Sequence, residues 1–538
     1  MVMIPSHSPP QRARLLLFFV VPPCFGLAAL YLGMDANWDL RNYHYYNAWA
    51  LLTDRYDRDI ATAQIPTFYN PIIDVPYFLL AQWLPARLLA FLLGCLHGIN
   101  FILLHCLAER VLIIRGSWRR LSICGAVALA GTCGAVALSE IGTVFYDNLL
   151  SFGFFGSLAL ALRHWKRLEG GDWKQACLSA ALVGLPAGLA FGLKQTSVIY
   201  TFGVCGGLLF CLPVSPWRRL LAAFFCGLGI LGGLALGGGY WMWHLWHLYG
   251  NPLFPMFNQF FRSPWGLVDS YRDVQYLLGS AWRRVYFPVL FSLDSRQAGE
   301  IHFRDYRVLS VFLLIPLAGI TAWRDAARRK MPSPPAPFER RQAAYLLTAT
   351  AISYVVWVQL FGVYRYIIAI EMLAPLLAVL AVGYLTPLGR FRRPLTIGLL
   401  ALLVVSTRPG TWIRVPFEDQ AVAVEVPAIP DPANTIVLLA GHEPLSFLLP
   451  AFPPEIRFLR IDSTFTNPDQ TTVRFNQEMH RIVEHHRGRL SALFIPTERH
   501  DVINRLGDYG LFIPDGLCAT VTSPIGAAPY DLCPVERK

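Results

Sequence analysis

Long apolar runs alternate with short polar connections along most of this chain. With a membrane span taken as about 20 residues, the runs at 15–34, 87–114, 121–140, 144–162, 175–193, 197–214, 220–245, 307–323, 342–361, 366–387 and 394–407 are long enough, or nearly so, to cross a bilayer. The pattern predicts eleven helices, or ten if the short last one is re-entrant. No A-x-A-like site follows the first run, so a retained helix is expected there rather than a cleaved signal. Two long loops interrupt the series, at 35–86 and 246–306. After residue 408 the pattern changes: short apolar runs such as 435–440, 457–461 and 492–495 are separated by helical or turn-rich stretches, which reads as strands in a small α/β domain. The expected fold class is an all-α polytopic membrane protein (residues 1–407) followed by an extracytoplasmic α/β domain (408–538).

Composition sharpens this picture. The chain has 538 residues, 54% hydrophobic and 15% charged, with a mean hydropathy of +0.42. Roughly 25% charge is usual for a soluble domain, so the deficit excludes disorder and argues against a single soluble globule. The net charge of +11 would point to nucleic acid in a soluble protein, but nothing resembles a nucleic-acid module and no such partner is expected. Placement explains the excess. With the N-terminus cytoplasmic, the inside connections near 12–14, 115–120, 163–174, 218–219, 324–341 and 390–393 carry twenty Lys and Arg. The short outside connections carry two, Lys194 and Arg365. That bias puts both long loops and the C-terminal domain outside, in the periplasm if the membrane is a bacterial inner membrane.

Nine of the eleven cysteines lie in or beside apolar runs, where Cys serves as a small apolar residue. Cys518 and Cys533 fall in the outer domain, where a disulfide is permitted, and a bridge between them is expected. No metal-type CxxC or HExxH spacing occurs; no cofactor is expected, and a divalent metal is left open.

Candidate chemistry clusters at the outer boundary. MDANWDLRNYHYYNAWALL opens the first outer loop, and Asp35 and Asp39 would share a face if that stretch were helical. Beside His44 and the tyrosines, either carboxylate could deprotonate a hydroxyl; solvated acids and an interfacial aromatic belt are the plainer reading. The loop continues as an apolar, proline-punctuated stretch suited to short helices at a membrane surface. Glu140 and Asp147 bracket the next outer turn, and ionisable groups at membrane depth are functional candidates by default. Lys194 and Arg365 stand where the charge bias disfavours cations and suit a phosphate or diphosphate headgroup; snorkelling anchors are the alternative. GLGILGGLALGGG (227–239) reads as small-residue helix packing, not a phosphate loop.

WDLRNYHYYNAWALL followed by TFYNPIIDVPYFLL resembles the first loop of polytopic glycosyltransferases of the GT-C fold, in the bacterial group related to glycosyltransferase family 87 and the protein mannosyltransferases. YRYIIAIEMLAPLL resembles that superfamily's RY-x-x-P-type helix start, with Glu371 and the later Pro375 departing from it. The resemblance covers roughly residues 10–400. It implies an inverting enzyme using a polyprenyl-phosphate-linked sugar and a glycan, lipid or protein acceptor. Asp39, or else Asp35, would be the general base. Glu140, Asp147 and His44 would shape the substrate site, and Lys194 and Arg365, with Tyr366, would hold the lipid phosphate. The paired Asp-Glu of some relatives is absent from the first loop. Two other classes compete: a transporter or flippase of lipid-linked glycans, for which no internal repeat speaks, and a non-catalytic scaffold of envelope polysaccharide assembly.

Overall fold

A computed structural model describes residues 9–327, 337–516 and 518–538. Arg328, Arg329 and Lys330, counted among the inside cations, lie outside the described residues. The described residues are mostly helical, 64% of them, and each of the eleven apolar runs is helical, the run at 121–140 as two helices. Among the described residues, seven are long and apolar enough to cross a membrane: Pro9–Leu32, Ala86–Val111, Trp173–Leu193, Pro216–Tyr249, Arg307–Asp325, Arg340–Leu360 and Tyr364–Tyr384. This indicates a multi-pass membrane protein. The other four runs form shorter helices: Ser117–Thr132, Asp147–Arg163, Val198–Cys211 and Arg392–Ser406.

The chain divides into two compact units. The first comprises residues 1–31, 91–238 and 273–412; the second comprises 32–90, 239–272 and 413–538. This division does not follow chain order at residue 407. The second unit combines the C-terminal segment with the whole 35–86 loop and the beginning of the 246–306 loop.

The core of the first unit is the helix Ile368–Tyr384, nearly all of it buried. Elsewhere in this unit, small residues let helices Trp173–Leu193 and Pro216–Tyr249 approach each other closely. A Cβ on Gly184 or Gly188 would strike the backbone of Cys226 or Ile230, and one on Gly229 or Gly233 would strike that of Ala181 or Leu185. The glycine-rich 227–239 stretch is therefore helix packing, the arrangement that favours association where lipid supplies no hydrophobic drive.

One expected span, 121–140, is broken, and the break has a clear cause. Helix Ser117–Thr132 ends and a short helix, Ala135–Ser139, begins. The exposed backbone groups at the break are met by buried charges. Arg307 donates to the carbonyls of Ala130 (3.1 and 2.9 Å) and Cys133 (2.9 Å). Asp305 accepts from Ala135 N–H (2.9 Å), and Glu371 accepts from Ala137 N–H (3.0 Å). A cation on helix carbonyls and acids on helix N–H groups both match the charge at those ends. Asp305 and Arg307 also pair directly, with both side chains fully buried.

In the second unit, β1 (Met34–Asp35) pairs antiparallel with β2 (Arg414–Val415). The C-terminal segment forms a sheet from β3 (Thr435–Leu439), β4 (Arg457–Arg460), β5 (Arg489–Phe494), β6 (Leu511–Phe512), β7 (Ala519–Val521) and β8 (Tyr530–Arg537). Its order is β4-β3-β5-β8-β6, with β7 also on β8. β4, β3 and β5 are parallel, and β8 is antiparallel to β5. A small C-terminal sheet region therefore follows residue 408, as the change of pattern there predicts. Its edge strand β4 is covered by the 35–86 loop: Ile60 N–H donates to Phe458 O and Ile60 O accepts from Arg460 N–H, both at 3.0 Å.

Cys518 and Cys533 are disulfide-bonded across a separation of 15 residues. Replacing both with serine is expected to cost about 2–4 kcal/mol, read as a lower denaturant midpoint for this unit. An unchanged midpoint would mean that the bridge does not constrain it.

Candidate functional site

The expected site residues fall into two clusters, one in each unit. In the first unit, Asp147 opens the helix Asp147–Arg163, where a carboxylate is favoured by the helix dipole. Lys194 follows the helix Trp173–Leu193 and donates to both Asp147 oxygens at 3.0 Å and to the Phe145 carbonyl at 2.9 Å. Arg365 lies in the turn Tyr364–Ile367. Its Nε is 3.9 Å from Asp147 and its Nη2 is 3.3 Å from Glu300. The Arg365 guanidinium lies over the rings of Phe145, Tyr366 and Trp412, at 4.5, 5.6 and 5.9 Å from their centres, and Lys194 Nζ is 5.9 Å from Tyr366. Lys194 and Arg365 therefore converge on one carboxylate inside an aromatic cage.

Glu140 is 3% exposed, and among the described residues neither of its carboxylate oxygens has a hydrogen-bond partner. It stands within electrostatic reach of Asp147, Arg365 and Lys194. With Thr143, Asn148 and His97 it lines a cavity of about 20 Å³, enough for about one water.

In the second unit, Asp35 and Asp39 do not share a helix face. Asp35 belongs to β1, opposite Arg414, whereas Asp39 immediately precedes the wide helical turn Leu40–His44. Asn37 causes the separation. Its amide donates to both Asp35 oxygens (2.8 and 2.7 Å), and its own oxygen accepts from Leu40 N–H at 2.9 Å. Burial pushes the Arg414 guanidinium down, while the Asp35 charge works the other way. Asp39 is half-buried and accepts from the Tyr43 hydroxyl at 3.2 Å. His44 Nδ1 is 2.6 Å from Asp74, both side chains being almost completely buried; a carboxylate so placed fixes the orientation of the ring. The neighbouring tyrosines form no interfacial belt. Tyr45 and Tyr46 are buried, and Tyr46 donates to Asp59 at 2.9 Å.

Arg41, two residues past Asp39, pairs with Glu443 at 2.6 Å. Gln64 donates to the His442 carbonyl (3.0 Å) and accepts from Thr464 (2.7 Å). Arg55 holds Asp59 and the carbonyls of Pro454 and Ile456. The C-terminal domain thus grips the loop carrying Asp35, Asp39 and His44.

Sequence reasoning missed Asp74, Glu300, Phe145 and Trp412 as members of these clusters. Asp74 is 30 residues from His44, and Glu300 is 65 from Arg365; no local spacing joins either pair. No protein-family model matches the chain, and no curated protein matches it.

Proposed function

We propose that this protein is a membrane glycosyltransferase of the GT-C type, moving a sugar from a polyprenyl-phosphate donor onto a hydroxyl acceptor outside the cytoplasm. The observation that carries the reading is the convergence of Lys194 and Arg365 on Asp147 among aromatic side chains. The first-loop and RY-type resemblances support it. In this reading Lys194 and Arg365 hold the lipid phosphate, Arg through its fork of donors and Lys as a point charge. Asp39 takes the acceptor's proton as the hydroxyl attacks the anomeric carbon. The lipid phosphate leaves from the opposite face, which inverts the centre. Both cations already have carboxylate partners, so a phosphate takes over hydrogen bonds that Asp147 and Glu300 now accept. That exchange sets a cost which the lipid must exceed.

Lys194→Met and Arg365→Met are each expected to weaken binding of undecaprenyl phosphate by ten- to a hundredfold, since a charge-assisted hydrogen bond is worth about 1.5–3 kcal/mol. Lys194→Arg, which keeps the charge, should restore most of the loss. Equal lipid affinity in both Met variants would reduce these residues to structural ion pairs. The orientation belongs to the same reading, and a reporter fused after residue 430 is expected to be active only on the periplasmic side. Cytoplasmic activity there would put the C-terminal domain on the wrong face.

A second reading, a proton-coupled transporter of lipid-linked glycans, is favoured by one feature: the buried Glu140 carboxyl beside the Lys194–Asp147 pair. Buried acids without fixed partners are the groups that pumps protonate in turn. Proteoliposomes decide between the two. Glycan movement without glycosidic bond formation, lost in Glu140→Gln, would replace the enzyme by the transporter.

A further inference from the structure

The second outer loop carries an open cleft of about 500 Å³ within the first unit, with Gln275, Arg283, Arg296 and Glu300 exposed to solvent; its volume is inside the roughly 300–1,000 Å³ range of small-molecule sites. Its polar lining consists of Gln275, Tyr276, Arg283, Arg296, Gln297 and Glu300. None of these residues was singled out by the sequence.

The cavity is tied to the Arg365 turn at several points. Tyr364 N–H donates to the Ala298 carbonyl at 2.6 Å, one residue before the lining begins again at Gly299. Gly362 has a φ of +77°, and any Cβ there would collide with the Tyr276 carbonyl; only glycine meets both demands. Arg284 donates to the Leu278 carbonyl and to Gln359, both at 2.6 Å, which fixes the opposite wall to the end of helix Arg340–Leu360. Glu300 completes the connection, because the carboxylate that lines the cavity is also the one paired with Arg365.

The lining selects among ligands. A prenyl chain requires apolar walls, which these are not. A bare phosphate would meet the Glu300 carboxylate as well as the arginines. Two amides, two guanidiniums and a carboxylate offer flat pairs of donors and acceptors, the complement of adjacent hydroxyl groups that each donate and accept. We propose that this cavity binds a sugar ring. The inference deepens the glycosyltransferase reading and rests on it for the reaction served. The ring could belong to a saccharide acceptor or to the sugar of the lipid donor.

The test uses the full-length protein in nanodiscs and saturation-transfer NMR with methyl glycosides of common hexoses, pentoses, hexuronic acids and N-acetylhexosamines. At least one glycoside should bind. Gln275→Leu and Gln297→Leu should each weaken it tenfold or more, and the exposed Arg296→Gln should weaken it without disturbing the fold. Competition identifies the source. Displacement by undecaprenyl phosphoglucose but not by undecaprenyl phosphate assigns the cavity to the donor sugar; displacement by neither assigns it to an acceptor. Failure of every glycoside to bind, or equal binding by wild type and all three variants, overturns the proposal. Undecaprenyl phosphate affinity, measured on the same samples, keeps the two readings apart. Glycoside binding through Gln275 and Gln297 with no lipid binding would sink the glycosyltransferase reading and leave the sugar site standing.

Discussion

Asp39→Asn is expected to reduce sugar transfer by about a hundred- to ten-thousandfold while leaving undecaprenyl phosphate binding near normal. A hydroxyl is a weak nucleophile at neutral pH, and a positioned base that accepts its proton contributes a factor of that size. Asn keeps the shape and can still accept from Tyr43, but it cannot take up a proton. Asp39 is half-buried beside a turn anchored by the Arg41–Glu443 pair, so its position is set by the C-terminal domain. Asp35→Asn should act differently. Asp35 accepts from the Asn37 amide through both oxygens, and losing a hydrogen bond to a charged group costs about 1.5–3 kcal/mol. The expected result is a less stable protein with transfer per folded molecule largely kept. The measurement is transfer from a purified lipid donor, normalised to the fraction folded. If Asp35→Asn is dead while Asp39→Asn transfers normally, the base is Asp35; if neither matters, the proposed mechanism fails.

How much of this was legible depended on the range of the interactions. All eleven apolar runs became helical, the one at 121–140 in two pieces, because a run of apolar residues states its own burial locally. Four of them fell short of spanning length. Hydropathy cannot see the break at Cys133–Gly134, where Ala and Gly continue the apolar pattern while Asp305, Arg307 and Glu371 supply the end groups from far away in the chain. Lys194 and Arg365 were visible as cations on the wrong side of a charge bias. Their shared partner Asp147, 47 residues from Lys194, was flagged separately, and nothing in the spacing joined them. The change at residue 408 marked the α/β segment correctly, yet the segment's attachment to the first loop was invisible. Residues 55–64 are a mixed polar and apolar stretch, and they are held through backbone hydrogen bonds to β4 and through side chains reaching main-chain carbonyls. Such bonds depend little on side-chain type and leave little trace in sequence.

Arg307→Met is expected to destabilise the first unit by about 3–5 kcal/mol, the usual result of removing one partner from a buried ion pair. Two consequences add up. The carbonyls of Ala130 and Cys133 lose their donor at a helix end. Asp305 loses its cation while its side chain is still fully buried. Met fills similar volume, so the loss is electrostatic rather than a cavity effect. Adding Asp305→Asn should recover part of it, because the amide oxygen can still accept from Ala135 N–H without carrying an unpaired charge. A double-mutant cycle, read by denaturant unfolding of the full chain in detergent, should therefore show strong coupling. Purely additive losses would mean that the two residues do not act as a pair. Because this brace fixes the short helix Ala135–Ser139 that leads into Glu140, the Arg307→Met protein that does fold should also bind undecaprenyl phosphate more weakly. An Arg307→Met protein that is destabilised but binds the lipid with wild-type affinity would separate the brace from the Lys194–Asp147–Arg365 cluster.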